Sequence, residues 1–298
     1  MNSTKKAYFF AGLAVFFWST VATAFKLALH EFDFIQLIFF TSVVSVVLLF
    51  ILLVFQNKIH LLFSQTKKDI LNSLLLGALN PLGYYLILFK AYSLLPAQLA
   101  QPLNMVWPIT LALLSVPFLN QKIGWQSLVA LFISFAGVIV ISSQGGLSGF
   151  EQTSWFGVFL AVGSSVIWAL YFIFNVRDKR DQVVKLFQNF IFGTLYLLPI
   201  VFFFSDFEIH PGRSMYSIIY IGFFEIGITY ILWLKAMELS TNNAKIGNLV
   251  FLAPFVSLIF IHFILKESIY ITTFIGLVFI VGGIFIQQTE GKEMSNER

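Results

Sequence analysis

The sequence predicts an all-α membrane protein: ten transmembrane helices arranged as two inverted five-helix repeats, with both termini in the cytoplasm. Three observations carry this reading. The 298 residues are 58% hydrophobic and 11% charged, where a soluble domain carries roughly a quarter charged residues. The apolar residues fall into ten blocks, each near the ~20 residues that cross a bilayer core. The second half also repeats landmarks of the first in the same order.

The first block, residues 7–29, follows Lys5 and Lys6. It exceeds the apolar core of a signal peptide, about 7–15 residues. It therefore reads as a retained spanning helix, despite the small-residue stretch Ala22-Thr23-Ala24. Blocks at 34–55, 70–89, 97–118 and 125–143 complete the first half. Those at 154–175, 184–204, 215–235, 246–265 and 270–287 form the second. Charge or turn residues mark the breaks, among them Glu31-Phe32-Asp33, Leu95-Pro96, Gly145–Gln152, Arg177–Asp181 and Lys266-Glu267. Helices satisfy their backbone hydrogen bonds internally, as the membrane requires. The alternating strands of a β-barrel do not appear.

The repeat is read from matched landmarks. Ala11 to Trp18 aligns with Ala161 to Trp168 at an offset of 150. Gly77, Tyr85 and Lys90-Ala91 match Gly222, Tyr230 and Lys235-Ala236 at 145. Pro108 and Gly137 match Pro254 and Gly283 at 146. The halves run over 1–145 and 153–289, with a tail at 290–298. An odd number of helices per half inserts the second half upside down, as in many secondary transporters. With the N-terminus inside, all basic residues except Lys26, Lys90, Arg213 and Lys266 lie in cytoplasmic segments, 14 of 18, in keeping with the positive-inside rule. The net charge of +4 therefore reflects topology and not nucleic-acid binding.

These landmarks resemble the EamA-like branch of the drug/metabolite transporter superfamily. The resemblance rests on Trp18-Ser19 with Trp168-Ala169, the Lys-Ala pairs, Pro108 and Pro254, Leu265-Lys266-Glu267, and the glycines of the fifth and tenth blocks. It covers about residues 7–288. The family pattern places a Glu after the fourth helix as well, where this chain has Gln121; Glu267 is therefore expected to be structural. The resemblance implies a substrate cavity near the bilayer midplane between the halves and alternating access by rocking helix bundles. Relatives move amino acids and their derivatives, sugars, choline or other amines, mostly without ATP.

Glu225 is the most informative single residue. It sits mid-block between Phe224 and Ile226, where an ionisable group costs roughly 2.5–3.5 kcal/mol and ordinarily faces a cavity or partner. It reads as a site for a substrate ammonium or as a proton-coupling carboxylate, against a purely interhelical hydrogen bond. Its repeat counterpart is Asn80, followed by Pro81, which removes a helical hydrogen bond. Asn80 then contacts substrate, caps the freed carbonyl or bonds a neighbouring helix. Lys26 lies roughly 12 Å along the first helix from Trp18. It either binds a substrate carboxylate, pairs with Glu225 or extends to the interface. Trp18, Trp107, Trp168, Tyr84, Tyr85, Tyr171 and Tyr230 occupy central or repeat-related positions. They line a cavity for a cationic or aromatic group or anchor helices at the interfaces. The candidate substrate-binding set is Glu225, Asn80, Trp18, Trp168, Tyr84, Tyr230, Trp107 and Lys26. Small residues at Ala130, Ser134, Gly137, Gly276 and Gly283 predict close helix packing.

The chain has no cysteine, which excludes disulfides and thiol chemistry. HExxH, GxSxG and Walker patterns are absent, so no catalytic residue, metal or cofactor is expected. The predicted function is secondary transport of amino acids or related metabolites in a bacterial inner membrane, with export as the direction. Protons are the expected coupling ion, and the protein is expected as a monomer or homodimer. The alternatives are an importer of choline-like amines or an intramembrane lipid-modifying enzyme. The enzyme would require two cooperating polar residues at one depth.

Overall fold

The computed structural model describes residues 3–119, 125–205, 212–239 and 248–296. Among these the chain is helical, with no strand. The elements are α1 (Ser3–Ala28), α2 (Phe34–Phe55), the short α3 (His60–Phe63), α4 (Lys67–Gly77), α5 (Tyr84–Leu94), α6 (Ala97–Asn104), α7 (Trp107–Leu119) and α8 (Trp125–Ser142). They continue with the short α9 (Leu147–Gln152), α10 (Trp155–Arg177), α11 (Gln182–Phe204), α12 (Arg213–Ile221), α13 (Ile228–Leu239), α14 (Ala253–Leu265) and α15 (Ile271–Asn296). Wider π-helical turns over Ala78–Gly83 and Gly222–Gly227 join α4 to α5 and α12 to α13.

Six of these helical stretches are long and apolar enough to cross a membrane: Thr4–Ala28, Phe34–Phe55, Lys67–Leu94, Ala97–Phe118, Trp155–Asn175 and Gln182–Phe204. Leu128–Ser142, Leu249–Leu265 and Ile271–Ile286 are shorter apolar helices. Phenylalanines such as Phe132, Phe159 and Phe203 are more than two-thirds exposed. Water-soluble surfaces rarely carry large apolar patches, and lipid accounts for these.

Local sequence sets the helix starts. Asp33 accepts hydrogen bonds from the amides of Ile35 and Gln36, while Gln36 reaches back to the Asp33 amide. Thr66 and Asp69 form the same reciprocal pair before α4. Asp181 accepts from Val183 and Val184. Each side chain satisfies amides that a helix start leaves without partners.

The chain forms two compact units. The first comprises residues 1–89 and 179–266, the second 90–178 and 267–298. In the first, α1 packs on α12, α13 and α14, and α11 packs on α2, α4 and the Ala78–Gly83 turn. In the second, α8 and α15 pack along much of their length, and α10 packs on α6 and α7. The α8–α15 contact is backbone-close: a Cβ on Gly137 would stand 2.6 Å from the Gly276 carbonyl oxygen, and one on Gly276 2.5 Å from that of Gly137. Both distances are shorter than carbon tolerates, so the small residues fix this packing.

Candidate functional site

The first unit contains two interrupted helices. Pro81 brings no N–H to the ladder, and Asn80 adopts an extended backbone (φ −147°, ψ 119°). The second interruption has no proline. There Gly222 lies tight against α2, where a Cβ would stand 2.5 Å from Val44 Cγ1 and 3.1 Å from the Thr41 carbonyl oxygen. The Ser45 hydroxyl donates to the Gly222 carbonyl at 3.1 Å. Single π turns inside α-helices recur at functional sites, and this one carries Glu225.

Glu225 is half-buried. The Tyr85 hydroxyl, itself buried, donates to its carboxylate Oε1 at 3.0 Å. Trp18 directs its indole Nε1–H at the Glu225 backbone carbonyl, 3.5 Å away. Aromatic rings build the surroundings: Trp18 lies 5.3 Å from Trp233, and Phe17 stacks on Phe224 at 4.4 Å. Phe224 also meets Tyr220 at 4.6 Å, and the Tyr220 and Thr20 hydroxyls are 2.6 Å apart. A carboxylate offers about four acceptor positions, so Tyr85 leaves capacity for a donor-bearing ligand. The negative faces of aromatic rings attract cations. The chemistry fits an ammonium or a transferable proton.

Of the predicted residues, Glu225 and Trp18 come together. Tyr84 packs on Tyr85 at 4.8 Å, but Tyr85 supplies the hydrogen bond. Asn80 occupies the other interruption and is buried. Lys26 lies in the last turn of α1, half-buried. The Tyr230 side chain and Gln121 lie outside the described residues. Trp107 and Trp168 belong to the second unit, where Trp107 meets Phe172 and Trp168 meets Tyr171. Beside them, Asn104 Nδ2 donates to Ser164 Oγ at 2.8 Å, and the Thr110 and Ser165 hydroxyls are 2.8 Å apart. The sequence reading did not select Trp233, Lys185 or Asn189. Lys185 and Asn189 are buried on α11, at 5% and 0% exposure; their four-residue spacing on one helical face was the available signal.

Glu267 has a structural task at the start of α6. Its carboxylate accepts the Ala97 and Gln98 amides at 2.9 and 3.1 Å, capping α6. Gln98 returns a bond to the Ser268 carbonyl at 2.7 Å.

Comparison with known proteins adds the family. The pattern of the EamA-like transporter family matches residues 5–143 and again 155–287. The chain belongs to the EamA-like transporter family. It is 26% identical over 202 residues to the uncharacterized transporter YvbV of Bacillus subtilis (strain 168), covering 66% of this chain. The match spans 65% of that relative, just under two thirds of its length. An uncharacterized transporter of Clostridium kluyveri is 25% identical over 326 residues, covering 98% of this chain and 96% of that one. A solved crystal structure aligns with a TM-score of 0.66 over 97% of this chain and 99% of the other at 18% identity, a likeness of fold alone. With its apolar helices, this EamA-like chain is a multi-pass membrane protein.

Proposed function

We propose that this EamA-like protein is a secondary transporter that exports amino acids or related small metabolites by alternating access. Its ten spanning helices form two inverted repeats, 1–145 and 153–289, and the termini and the 290–298 tail face the cytoplasm of a bacterial cell. The observation that carries the reading is the Glu225 carboxylate, held by Tyr85 at a helix interruption among aromatic rings. A charge placed there without use is expensive at membrane depth. The repeat reading is supported by matched contacts. Gly77 presses on α11 at Asn189, Phe192 and Gly193, and Gly222 presses on α2 at Thr41 and Val44. Thr41 and Val44 stand 148 residues before Asn189 and Phe192.

Glu225 binds the substrate ammonium or exchanges it for a proton. The ring cluster also favours a second reading, transport of choline-like amines, because aromatic faces hold quaternary ammonium groups. The test is counterflow in proteoliposomes with labelled amino acids, amines and sugars, with and without a pH gradient. Wild-type protein exchanges an amino acid, and Glu225→Gln does not. Wild-type exchange of quaternary amines alone supports the second reading. Normal transport by Glu225→Gln across acidic to mildly alkaline pH overturns the role of the carboxylate.

A further inference from the structure

We propose that Lys185 and Asn189 of α11, with Asn80 across the contact, form a subsite for a zwitterionic head, a carboxylate beside an ammonium. This rests on the amino-acid reading above, with Glu225 as the proton-exchanging carboxylate, and names the part of the substrate that α11 recognises. Asn189 is fully buried, and neither its Oδ1 nor its Nδ2 has a hydrogen-bond partner among the described residues. The Asn80 Oδ1, on a side chain 4% exposed, has none either. Buried polar groups are nearly always bonded, so three such atoms at one helix crossing point to a ligand.

The crossing is well defined. A Cβ on Gly77 would stand 2.5 Å from the Asn189 carbonyl oxygen, and Gly193, one turn further along α11, lies against Pro81. Asn80 follows Gly77 by three residues and leaves the helical ladder there. Lys185 precedes Asn189 by one turn on the same face and is also buried. Residues so spaced lie about 5–6 Å apart at Cβ.

The chemistry of the set selects the ligand. A lysine ammonium and the Asn189 Nδ2 donate, which suits a carboxylate. The two asparagine Oδ1 atoms accept, which suits an ammonium. A metal cation is disfavoured by the lysine, and a simple anion leaves both oxygens without a donor. A group with both characters side by side satisfies all three asparagine atoms that lack partners among the described residues. The interruption at Asn80 supplies the neighbouring setting in which transporters place substrate heads.

The test uses the full-length protein in detergent and measures ligand-induced thermal stabilisation and binding. The probes are α-amino acids of each side-chain class, their methyl esters and their N-acetyl derivatives. Wild type prefers the zwitterion to both single-charge analogues. Asn189→Leu and Lys185→Met weaken zwitterion binding about tenfold or more, as loss of a charge-assisted hydrogen bond would; Lys185→Met leaves ester binding near wild type, whereas Asn189→Leu, which also loses the Oδ1 acceptor for the ammonium, weakens both. Asn189→Asp sets a carboxylate against the ligand's own in place of the Nδ2 donor; it rejects the zwitterion and retains the ester, a selectivity that misfolding does not mimic. Equal wild-type binding of ester and zwitterion overturns the subsite, as does binding of no amino acid. Undiminished zwitterion binding by Asn189→Leu overturns it too. Counterflow through Glu225 with amines judges the carrier reading separately, because a working carrier with an indifferent Asn189 sinks only the subsite.

Discussion

A tyrosine hydroxyl 3.0 Å from a carboxylate fixes where the Glu225 charge lies. The Tyr85→Phe variant keeps the ring, including its 5.2 Å contact with Phe89, and removes only the hydroxyl. Hydrogen bonds to charged groups contribute about 1.5–3 kcal/mol. The expected result is a fall in substrate affinity of about tenfold or more, read as a raised KM in proteoliposomes at equal protein incorporation. An unchanged KM would reduce Tyr85 to packing. Glu225 was legible in the sequence because a lone carboxylate in an apolar block stands out against its solvation cost. Tyr85 was not separable from Tyr84. Successive helical residues point about 100° apart, and only the tertiary placement of α5 decides which ring reaches Glu225.

Among the elements, the apolar blocks and their polar breaks located the long helices because bilayer thickness imposes their length. Pro81 announced one interruption by its chemistry. The turn at Gly222–Gly227 carries no such residue and arises where α2 crowds Gly222, a contact no local pattern encodes. The short α3 and α9 were likewise missed, since four and six residues hold too few turns for periodicity. The start of α11 yields a prediction of its own. Lys58 pairs with Asp181 at 2.8 Å. Partial burial raises the Asp181 carboxyl, but the Lys58 hydrogen bond, the Val184 amide, the Lys58 charge and the Val183 amide outweigh it. Together they hold it below its ordinary 3.8. A carboxyl lowered on folding contributes stability that is fully present above its unfolded value and is lost as pH falls through the folded one. Asp181→Asn should therefore lower Tm at neutral pH and flatten the loss below about pH 4, measured by thermal unfolding across pH. An acid limb as steep as wild type would assign that loss to other groups.

At the scale of the molecule, family pattern and compact unit divide the chain differently. The family pattern matches the two halves in turn, whereas each compact unit draws on both, 1–89 with 179–266 and 90–178 with 267–298. The two family matches were legible because each half carries its own landmarks in the sequence. The exchange was not, because it depends on which faces meet. A gene cut at Gly146 should yield fragments that are degraded when expressed singly and accumulate together as a folded, transport-active pair. A stable, compact first fragment alone would contradict this assembly.

That exchange also sets a timetable for synthesis. The stretch ending at Phe89 emerges about ninety residues before Lys179 begins the segment that completes its unit. At roughly 5–20 residues per second the wait lasts about 5–20 s. Through it, the buried Ser45 lacks Gly222 and Asn80 lacks the α11 face. The newborn first half is thus a membrane client whose polar surfaces need shielding until the ribosome delivers their partners.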